Sequence, residues 1–290
     1  MTKPNRTLVV RDYQAKWDAM VCAKPREVDA AAKLILANRD EYKEVEAATG
    51  VPWYFVGVLH MRECSNNMRG CLANGELIVG TNRKTRLVPK GRGPYATFLD
   101  SAVDALNLQG FAKVTDWSPA VCCYEGEGYN GWGYRNMGKP SPYVVGATQF
   151  YSHGKYVRDG VYSDRAVDPQ LGIMPVMRRA IELSGEENKP TAELPKITVA
   201  DLATASRKAT WLTRFGHACK VAVGGITLGG LSEQAGVAKS TMDSVAQFIQ
   251  QNALIILVTV AILGYFGVKY VLGRMAEDAN AGRYTPSGAA

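Results

Sequence analysis

Apolar residues recur with a helical period along much of the chain before residue 187, and the first clear instance is the stretch 26–48. One side of a helix drawn over that stretch carries Val28, Ala31, Ala32, Ile35 and Leu36. Gly50, a residue type that commonly follows the end of a helix, comes just after it. The pattern predicts one amphipathic helix over residues 26–48.

A second stretch, 52–63, is apolar almost to its end and finishes in the carboxylate of Glu63. Pro52 suits the first position of a helix, where its missing N–H costs nothing. The seven residues after Pro52 carry no charge, which is typical of a helix that lies in a core. We therefore predict a buried helix that places one acidic side chain at its C-terminal end.

Residues 64–95 change character, because glycines separate short apolar runs such as 76–79 and 85–88. The glycines in this region are Gly70, Gly75, Gly80, Gly91 and Gly93. Short apolar runs between turn residues are typical of strands, so the region is predicted to form a small β-hairpin lobe.

Helical patterns resume at Thr97, which has the spacing of a capping box with Asp100, and Gly110 lies beyond the end of that helix. Three further helices are predicted, the last ending near Leu183, and they open at Ser118-Pro119, Ser141-Pro142 and Asp168-Pro169. The predicted fold class is α+β and mostly helical, with one β-hairpin lobe, in a domain that spans residues 1–187.

The C-terminal third is rich in Ala, Gly, Ser and Thr up to about residue 250, and its segment 221–231 is either a hinge or an interfacial helix. Residues 253–268 then form an uncharged apolar run of 16 residues. If Lys269 snorkels, the run reaches about 20 residues, the length that a bilayer core requires. We predict a linker over 188–251, a transmembrane helix over 252–272 and a short polar tail over 273–290. The alternative for the apolar run is a buried core helix.

Basic residues set the expected orientation of this helix. Lys269, Arg274 and Arg283 follow it closely, whereas Lys239 precedes it at similar range. The positive-inside tendency places the C-terminus in the cytoplasm and the large N-terminal domain outside an inner membrane, as a single-pass protein. The N-terminus shows no cleavable secretory signal, which leaves the export route open.

Charge and cysteine content exclude some classes of function. The net charge of +7 fits an anionic partner such as cell wall or lipid headgroups, but it is too dispersed to indicate nucleic acid. Six cysteines are scattered without a Cys-x-x-Cys pair or a set of histidine partners, so a zinc site is not expected. The function that the motifs below imply requires no metal and no organic cofactor. Cys64 and Cys71 either pair or, as we favour, remain buried thiols.

Glu63 offers the most specific chemistry. A carboxyl at the end of an apolar helix meets apolar neighbours and the negative end of the helix dipole, and both raise its pKa. A carboxylic acid that keeps its proton near neutral pH suits the general-acid step of glycosidic-bond cleavage. The alternative is a solvated helix end with no catalytic role. His60, three residues earlier on the same face, is predicted to be a hydrogen-bonded core or wall residue.

The stretch 127–135 combines glycines with aromatic residues and an amide. Saccharide-binding surfaces use aromatic faces against sugar C–H groups and amides for hydroxyl and N-acetyl groups, while glycines allow a ligand to approach the backbone. The alternative is a glycine-rich turn with buried aromatic side chains.

Several motifs, in order along the chain, resemble a family of phage endolysins, the lysozyme-like muramidases of phages that infect Gram-negative bacteria. They are Pro52-Trp53-Tyr54-Phe55, His60-Met61-Arg62-Glu63-Cys64-Ser65, Asn74-Gly75-Glu76, Val88-Pro89, Tyr129-Asn130-Gly131-Trp132-Gly133-Tyr134-Arg135 and Ser141-Pro142-Tyr143. The resemblance covers residues 26–183, and the tail is similar to that of endolysins with a C-terminal membrane anchor. It implies a lysozyme-like fold, in which a helical lobe and a β-hairpin lobe hold the glycan between them.

The resemblance also implies residue roles. Glu63 matches the catalytic Glu of the family, and Glu76 stands where the family often has Asp, so it is expected to act as a general base on water. Thr81, favoured over Thr85, is the expected hydroxyl that helps hold this water. The substrate-binding residues expected from the resemblance are Tyr129, Asn130, Tyr134 and Tyr143. Carboxyls about 6.5–9.5 Å apart would give inversion and about 5–5.5 Å apart retention.

The expected function is hydrolysis of the β-1,4 bond between N-acetylmuramic acid and N-acetylglucosamine in host peptidoglycan, which leads to lysis. The expected partners are glycan strands and, through residues 252–272, the host inner membrane, with the catalytic domain on the periplasmic side. Two alternatives stay open. A lytic transglycosylase would use one acid/base Glu and leave anhydro ends, and a non-catalytic wall-binding or holin-like membrane protein would not cut glycan at all.

Overall fold

A computed structural model describes residues 3–186, together with residue 198 and residues 269–271, 273–277 and 280. The predicted linker, apart from Thr198, and the apolar run 253–268 lie outside the described residues. Of the predicted transmembrane helix, only residues 269–271 are described, and they are helical and exposed. In the described part of the chain, every helix falls short of the length and hydropathy that a membrane crossing requires.

The first helix, α1 at Arg6–Ala19, was not predicted from the sequence. Asn5 caps it, because the Asn5 Oδ1 atom accepts the N–H of Leu8 at 3.1 Å. Its buried side chains include Val9, Tyr13 and Trp17, which are four residues apart. That spacing is a helical signal present in the sequence.

The prediction of one helix over residues 26–48 is wrong, because the stretch forms two helices, α2 at Pro25–Ala37 and α3 at Arg39–Thr49. Asn38 separates them and adopts non-helical dihedral angles, with its Nδ2 atom donating to the carbonyl of Leu34 at 3.0 Å. An Asn side chain that bonds nearby backbone competes with the helical ladder and favours helix ends. Gly50, in the left-handed region, follows α3, as the sequence predicts.

The predicted buried helix is confirmed as α4, Trp53–Cys64, whose residues from Trp53 to His60 are all buried. Pro52 is the N-cap of this helix instead of its first helical residue. Ser65 adopts a left-handed conformation and ends it. α4 packs against α2, α3 and the last helix of the domain, Ile173–Ser184, which makes it the central helix of the apolar core.

The predicted hairpin lobe at 64–95 is wrong. Among the described residues, this region contains one isolated bridge, Gly70 with Leu77, and no strand. Hydrogen bonds between side chains and backbone hold it instead, and they include contacts made by Asn74, Glu76 and Thr85. Polar side chains of this kind satisfy backbone groups locally and so compete with strand pairing.

The two-stranded antiparallel sheet lies later in the chain, with β1 at Lys155–Arg158 and β2 at Val161–Ser163. Lys155 pairs with Ser163, and a bulge shifts the register between Tyr156 and Arg158. The connection is Asp159-Gly160, a dipeptide that favours hairpin turns. The α+β, mostly helical class is therefore confirmed, while the predicted position of its strands is not.

The remaining helices follow the predicted order. α5 at Phe98–Leu108 starts with the predicted capping box of Thr97 and Asp100, and α6 at Pro119–Asn130 starts at the predicted Ser-Pro pair. Two single-turn helices follow: α7 at Gly133–Asn136 was not predicted, whereas α8 at Pro142–Val145 starts at the predicted Ser141-Pro142 pair. α9 at Ile173–Ser184 begins later than predicted from Asp168-Pro169, because Asp168 is bonded within a loop, where its Oδ1 atom accepts the N–H of Gln170.

All these elements belong to the first of two compact units into which the chain divides, Met1–Pro195 with Ser287–Ala290. The predicted domain boundary at residue 187 falls in a stretch outside the described residues. Within the first unit, the core brings the C-terminal end of α4 next to α8 and to the loop before α9.

Candidate active site

Glu63 lies in the last turn of α4 and is partly exposed to solvent. Its Oε1 atom accepts a hydrogen bond from the Tyr143 hydroxyl at 2.9 Å. Burial among protein atoms raises the pKa of the Glu63 carboxyl to about 7, and the Tyr143 hydrogen bond and the Arg62 charge offset only part of that effect. The Glu63 carboxyl therefore keeps its proton to a much higher pH than an ordinary Glu does, as a general acid requires.

Tyr143 was expected to bind substrate, but its side chain is buried and lies behind Glu63. The Arg62 guanidinium stacks 4.6 Å from the centre of the Tyr143 ring. Arg62 is itself fixed by the Asp168 carboxylate at 3.2 Å and by the Leu171 carbonyl at 3.1 Å. Tyr143 is thus a positioning residue for Glu63, held in place by a buried ion pair.

Gly75 brings the loop after α4 against the backbone of Glu63. A Cβ atom at Gly75 would lie 2.3 Å from the Glu63 carbonyl oxygen, and Gly75 has a φ of +76°. Both the close approach and the left-handed conformation require glycine here. Glu76 therefore directly follows the residue whose backbone packs against the backbone of Glu63.

Glu76 is partly exposed, and its carboxylate holds the loop together. It accepts the N–H groups of Arg86 and Leu87 at 2.8 and 2.9 Å and the Asn74 amide at 3.2 Å. These hydrogen bonds, that from Leu87 first, keep the pKa of Glu76 below its ordinary value. Glu76 is therefore ionised at neutral pH, in contrast to Glu63.

The two candidate threonines both donate to backbone carbonyls inside the same loop. The Thr81 hydroxyl donates to Ile78 and the Thr85 hydroxyl to Pro89. Thr85 is buried, whereas Thr81 is partly exposed. Of the two, Thr81 is thus the more accessible to a water molecule, while each hydroxyl already stabilises a turn.

Tyr129 and Asn130 end α6 beside this loop. The Tyr129 hydroxyl donates to the Leu72 carbonyl at 2.7 Å, and the charge of Glu63 contributes to raising the pKa of Tyr129, after burial. Asn130 is exposed and lines a cleft of about 470 Å³. The cleft is also lined by Tyr134, Lys155, Arg158, Asp168 and Gln170.

The wall of this cleft is in contact with the residue before Glu63. Asp168 pairs with Arg62, and the Gln170 amide donates to the Arg62 carbonyl at 3.5 Å. The cleft therefore lies next to the C-terminal end of α4. A volume of this size is in the range of small-ligand sites, and its lining mixes an aromatic face with amides and charges.

Tyr134 is buried and supports the hairpin that forms one side of the cleft. Its hydroxyl accepts the N–H of Tyr156 at 3.0 Å, and its ring meets those of Tyr156 and Tyr162 edge-on. Of the four expected substrate-binding residues, Asn130 is exposed in the cleft, Tyr134 forms its floor, and the hydroxyls of Tyr129 and Tyr143 bond to protein.

Sequence reasoning missed the pairing of Arg62 with Asp168 and the contribution of Lys155, Arg158 and Gln170 to the cleft. Asp168 was interpreted only as a helix opener. Arg62 and Asp168 are 106 positions apart, so no local spacing connects them. The Asp-Gly turn at 159–160 was the one local signal for the hairpin that carries Lys155 and Arg158.

His60 is buried and hydrogen-bonded on both ring nitrogens, to the Tyr42 hydroxyl at 2.9 Å and to the Asn67 carbonyl at 3.1 Å, as the sequence predicts. Burial lowers its pKa to about 4, so it is neutral. A further cleft of about 560 Å³, between α2 and α9, contains none of the predicted site residues.

Comparison of the chain with protein-family models, with curated proteins and with solved structures gave no match. The resemblance to phage endolysins therefore rests on the motifs alone, and the activity that it implies stays a prediction.

Proposed function

We propose that this chain is a phage endolysin whose N-terminal domain cleaves the β-1,4 bond between N-acetylmuramic acid and N-acetylglucosamine in host peptidoglycan. The observation that carries the proposal is the partly exposed Glu63 carboxyl, with a pKa of about 7, at the end of α4. Glu63 does not itself line the cleft of about 470 Å³, but Asp168 and Gln170, which do, bond its neighbour Arg62. Because Tyr143 donates to Oε1, the acidic proton belongs on the other carboxyl oxygen. That oxygen delivers the proton to the glycosidic oxygen as the bond breaks.

The contrast between Glu63 and Glu76 supports hydrolysis. Glycosidases work with one carboxyl that keeps its proton and one that stays ionised, because their environments push the two pKa values apart. Burial raises the pKa of Glu63, and hydrogen bonds from N–H donors lower the pKa of Glu76. In this mechanism Glu76 orients the water that attacks the sugar, and the partly exposed hydroxyl of Thr81 assists.

One observation favours a second candidate, a lytic transglycosylase. The Glu76 carboxylate already accepts two backbone N–H groups and one amide, which makes it a weak base and gives it a role in the loop. A transglycosylase needs only one acid/base carboxyl, here Glu63, because a hydroxyl of the sugar itself attacks. The two reactions leave different ends on the glycan.

The proposal includes a membrane anchor at 252–272, with the N-terminal domain on the periplasmic side of the host inner membrane. Its support is the length of the uncharged run at 253–268 and the basic residues that follow it. An anchor of this kind would raise the local concentration of the domain near its insoluble polymer.

The test is mass spectrometry of purified peptidoglycan digested by the wild-type protein and by Glu63→Gln. We expect reducing muramic acid ends from the wild type and no cleavage by Glu63→Gln, because the amide has no proton to transfer. Glu125→Gln is the matched control, since burial also raises the pKa of Glu125, on α6, and that variant should cut normally.

The other outcomes are equally informative. Anhydro ends would replace hydrolysis by the transglycosylase reaction and remove Glu76 from the chemistry. Cleavage by Glu63→Gln at the wild-type rate would overturn the proposed mechanism, and lysis without any cleavage by either protein would point to a wall-binding or holin-like protein.

The free energy of unfolding of Glu63→Gln, measured at two pH values, checks that the variant folds. The pKa of Glu63 rises from 4.5 to about 7 on folding, so its contribution to stability is complete below pH 4.5 and is lost as pH rises through about 7. The variant should therefore match the wild type at about pH 4 and exceed its free energy of unfolding at about pH 8, by on the order of 1–3 kcal/mol.

A further inference from the structure

The loop at residues 77–92, named here the basic loop, has an unusual charge. It carries five cations and no acidic residue: Arg83, Lys84, Arg86, Lys90 and Arg92. The nearest acid before it is Glu76, and the next one after it is Asp100. A segment of one charge sign creates a local positive potential that the modest net charge of the whole chain does not suggest.

The basic loop also exposes aliphatic side chains. Leu77, Leu87 and Val88 are 48%, 58% and 78% exposed, and Val88 is the most exposed large apolar side chain among the described residues. Apolar side chains that are exposed next to one another mark an interaction surface more often than isolated ones do.

Hydrogen bonds tie the segments that carry these side chains to each other. The Glu76 carboxylate accepts the N–H groups of Arg86 and Leu87, which links the segment before Leu77 to the one that holds Leu87. Arg83 donates to the Leu77 carbonyl at 2.6 Å, which places a guanidinium beside the same segment. Exposed aliphatic and cationic side chains therefore lie on linked segments of one loop.

Most of its cations are available to a partner. Arg92 is paired with Asp104, and Arg83 is bonded to backbone. Lys84, Arg86 and Lys90 are exposed, and within residues 3–186 none of the three enters an ion pair. The Glu76 carboxylate already accepts two backbone N–H groups of the loop and the side-chain amide of Asn74.

We propose that the basic loop docks on the surface of an anionic phospholipid bilayer. Cations near such a surface contribute about 1 kcal/mol each, and aliphatic side chains next to them insert at the headgroup boundary. A soluble polyanion would satisfy the lysine and arginine side chains but would leave Leu77, Leu87 and Val88 in water. Thr81, which is proposed to assist cleavage, lies in the same loop, but the lysine, arginine and aliphatic side chains that would dock take no part in that chemistry.

The experiment uses full-length protein with Val88→Trp, or with Val21→Trp as the matched control, since Val21 is 64% exposed but lies between α1 and α2. Both are added to vesicles that contain brominated lipid, either zwitterionic or with phosphatidylglycerol. We expect a blue shift and quenching of Val88→Trp that depend on phosphatidylglycerol, with neither for Val21→Trp. Both variants contain the same C-terminal residues, so a difference in fluorescence between them arises from the position of the new tryptophan in the loop.

A charge-reversal variant completes the test. Lys84→Glu with Lys90→Glu, in the Val88→Trp background, should abolish the fluorescence response to phosphatidylglycerol. Salt at about 1 M should abolish it too, because the Debye length there is about 3 Å. Equal quenching of Val88→Trp and Val21→Trp would overturn the proposal, and so would a response that ignores lipid charge. A response to soluble muropeptides without one to lipid would assign the loop to a different partner and overturn it as well.

Discussion

At the scale of single residues, the site depends on the pKa that the surroundings give to one carboxyl. Burial raises the pKa of Glu63, while the Tyr143 hydroxyl and the Arg62 guanidinium act against that rise. Without these two groups the acid would hold its proton too tightly to transfer it efficiently, and without burial it would be ionised at neutral pH. Asp168 contributes to this balance because its carboxylate holds the Arg62 guanidinium over the Tyr143 ring.

The pH dependence of cleavage tests this balance. Wild-type kcat should fall as pH rises through about 7, because Glu63 loses its proton there. Tyr143→Phe removes a donor to the ionised form, so the falling limb should move to higher pH by about one to two units, since a hydrogen bond to a charged group contributes about 1.5–3 kcal/mol.

In the same variant, kcat at the optimum should fall roughly tenfold, because the carboxyl loses its fixed orientation. Both effects are measured as kcat against pH on soluble glycan fragments. Tyr54→Phe, whose hydroxyl donates to the Trp117 carbonyl near the other end of α4, is the control and should leave the limb in place. A limb that stays where it is in Tyr143→Phe would mean that Tyr143 does not hold the acid.

At the scale of elements, α4 and the loop after it form the site jointly. α4 supplies Glu63, and the loop closes over its backbone at Gly75 before Glu76 turns back to bond residues 86 and 87. The loop is shaped by side chain–backbone hydrogen bonds, and a small shift at Gly75 is therefore transmitted to both carboxyls.

Gly75→Ala tests this coupling, with Gly80→Ala as its matched control. The two glycines have φ values of +76° and +72°, so both substitutions meet the same backbone penalty of about 1 kcal/mol. Only the Cβ at Gly75 meets a neighbour, the Glu63 carbonyl, whereas nothing lies within 4 Å at Gly80. Gly75→Ala should lose at least about tenfold in kcat/KM. Equal losses in the two variants would show that the loop does not position Glu63.

The sequence predicts elements well where local chemistry decides them. Helix ends are predicted correctly where capping or helix-breaking residues act within a few positions. Examples are the capping box of Thr97 and Asp100, Gly50 after α3, and the proline that starts α6. The hairpin lobe was misplaced, because glycine-separated apolar runs at 64–95 satisfy their backbone through side chains instead of through a partner strand.

The site was predictable only in part, for the same reason. Glu63 is identified by its position at the end of an apolar helix, and its raised pKa follows from that burial. The support of Glu63 by Tyr143, Arg62 and Asp168 depends on contacts between α4, α8 and the loop before α9. Contacts of this range are set by tertiary packing, which local patterns do not contain.

At the scale of the whole domain, a buried polar cluster joins α1 to α6 and α7. The Glu127 carboxylate, which is fully buried, accepts the Tyr13 hydroxyl at 2.8 Å and the Arg135 guanidinium at 2.8 Å. Arg135 also bonds the buried Asp12 at 2.8 Å. Glu127 and Arg135, which lie in the stretch predicted to bind saccharide, are thus structural residues that hold α1 in place.

Arg135→Met should lower the free energy of unfolding by about 3–5 kcal/mol, because the buried Glu127 carboxylate loses its cation and Asp12 keeps only Lys16. Denaturant unfolding measures the loss. Arg165→Met, at an exposed position, is the control and should change stability by less than about 0.5 kcal/mol. A loss below about 1 kcal/mol for Arg135→Met would contradict the role of the cluster.

The last described residue of the domain, Glu186, is tied down at the opposite end of α4 from the acid. It accepts the indole N–H of Trp53 at 2.8 Å and pairs with Arg39 and Lys43. Ten residues of helix, about 15 Å, separate Trp53 from Glu63. A mechanical pull transmitted through the chain that follows Glu186 would load these contacts first, and the end of the helix that carries Glu63 would be the part least disturbed by the tension.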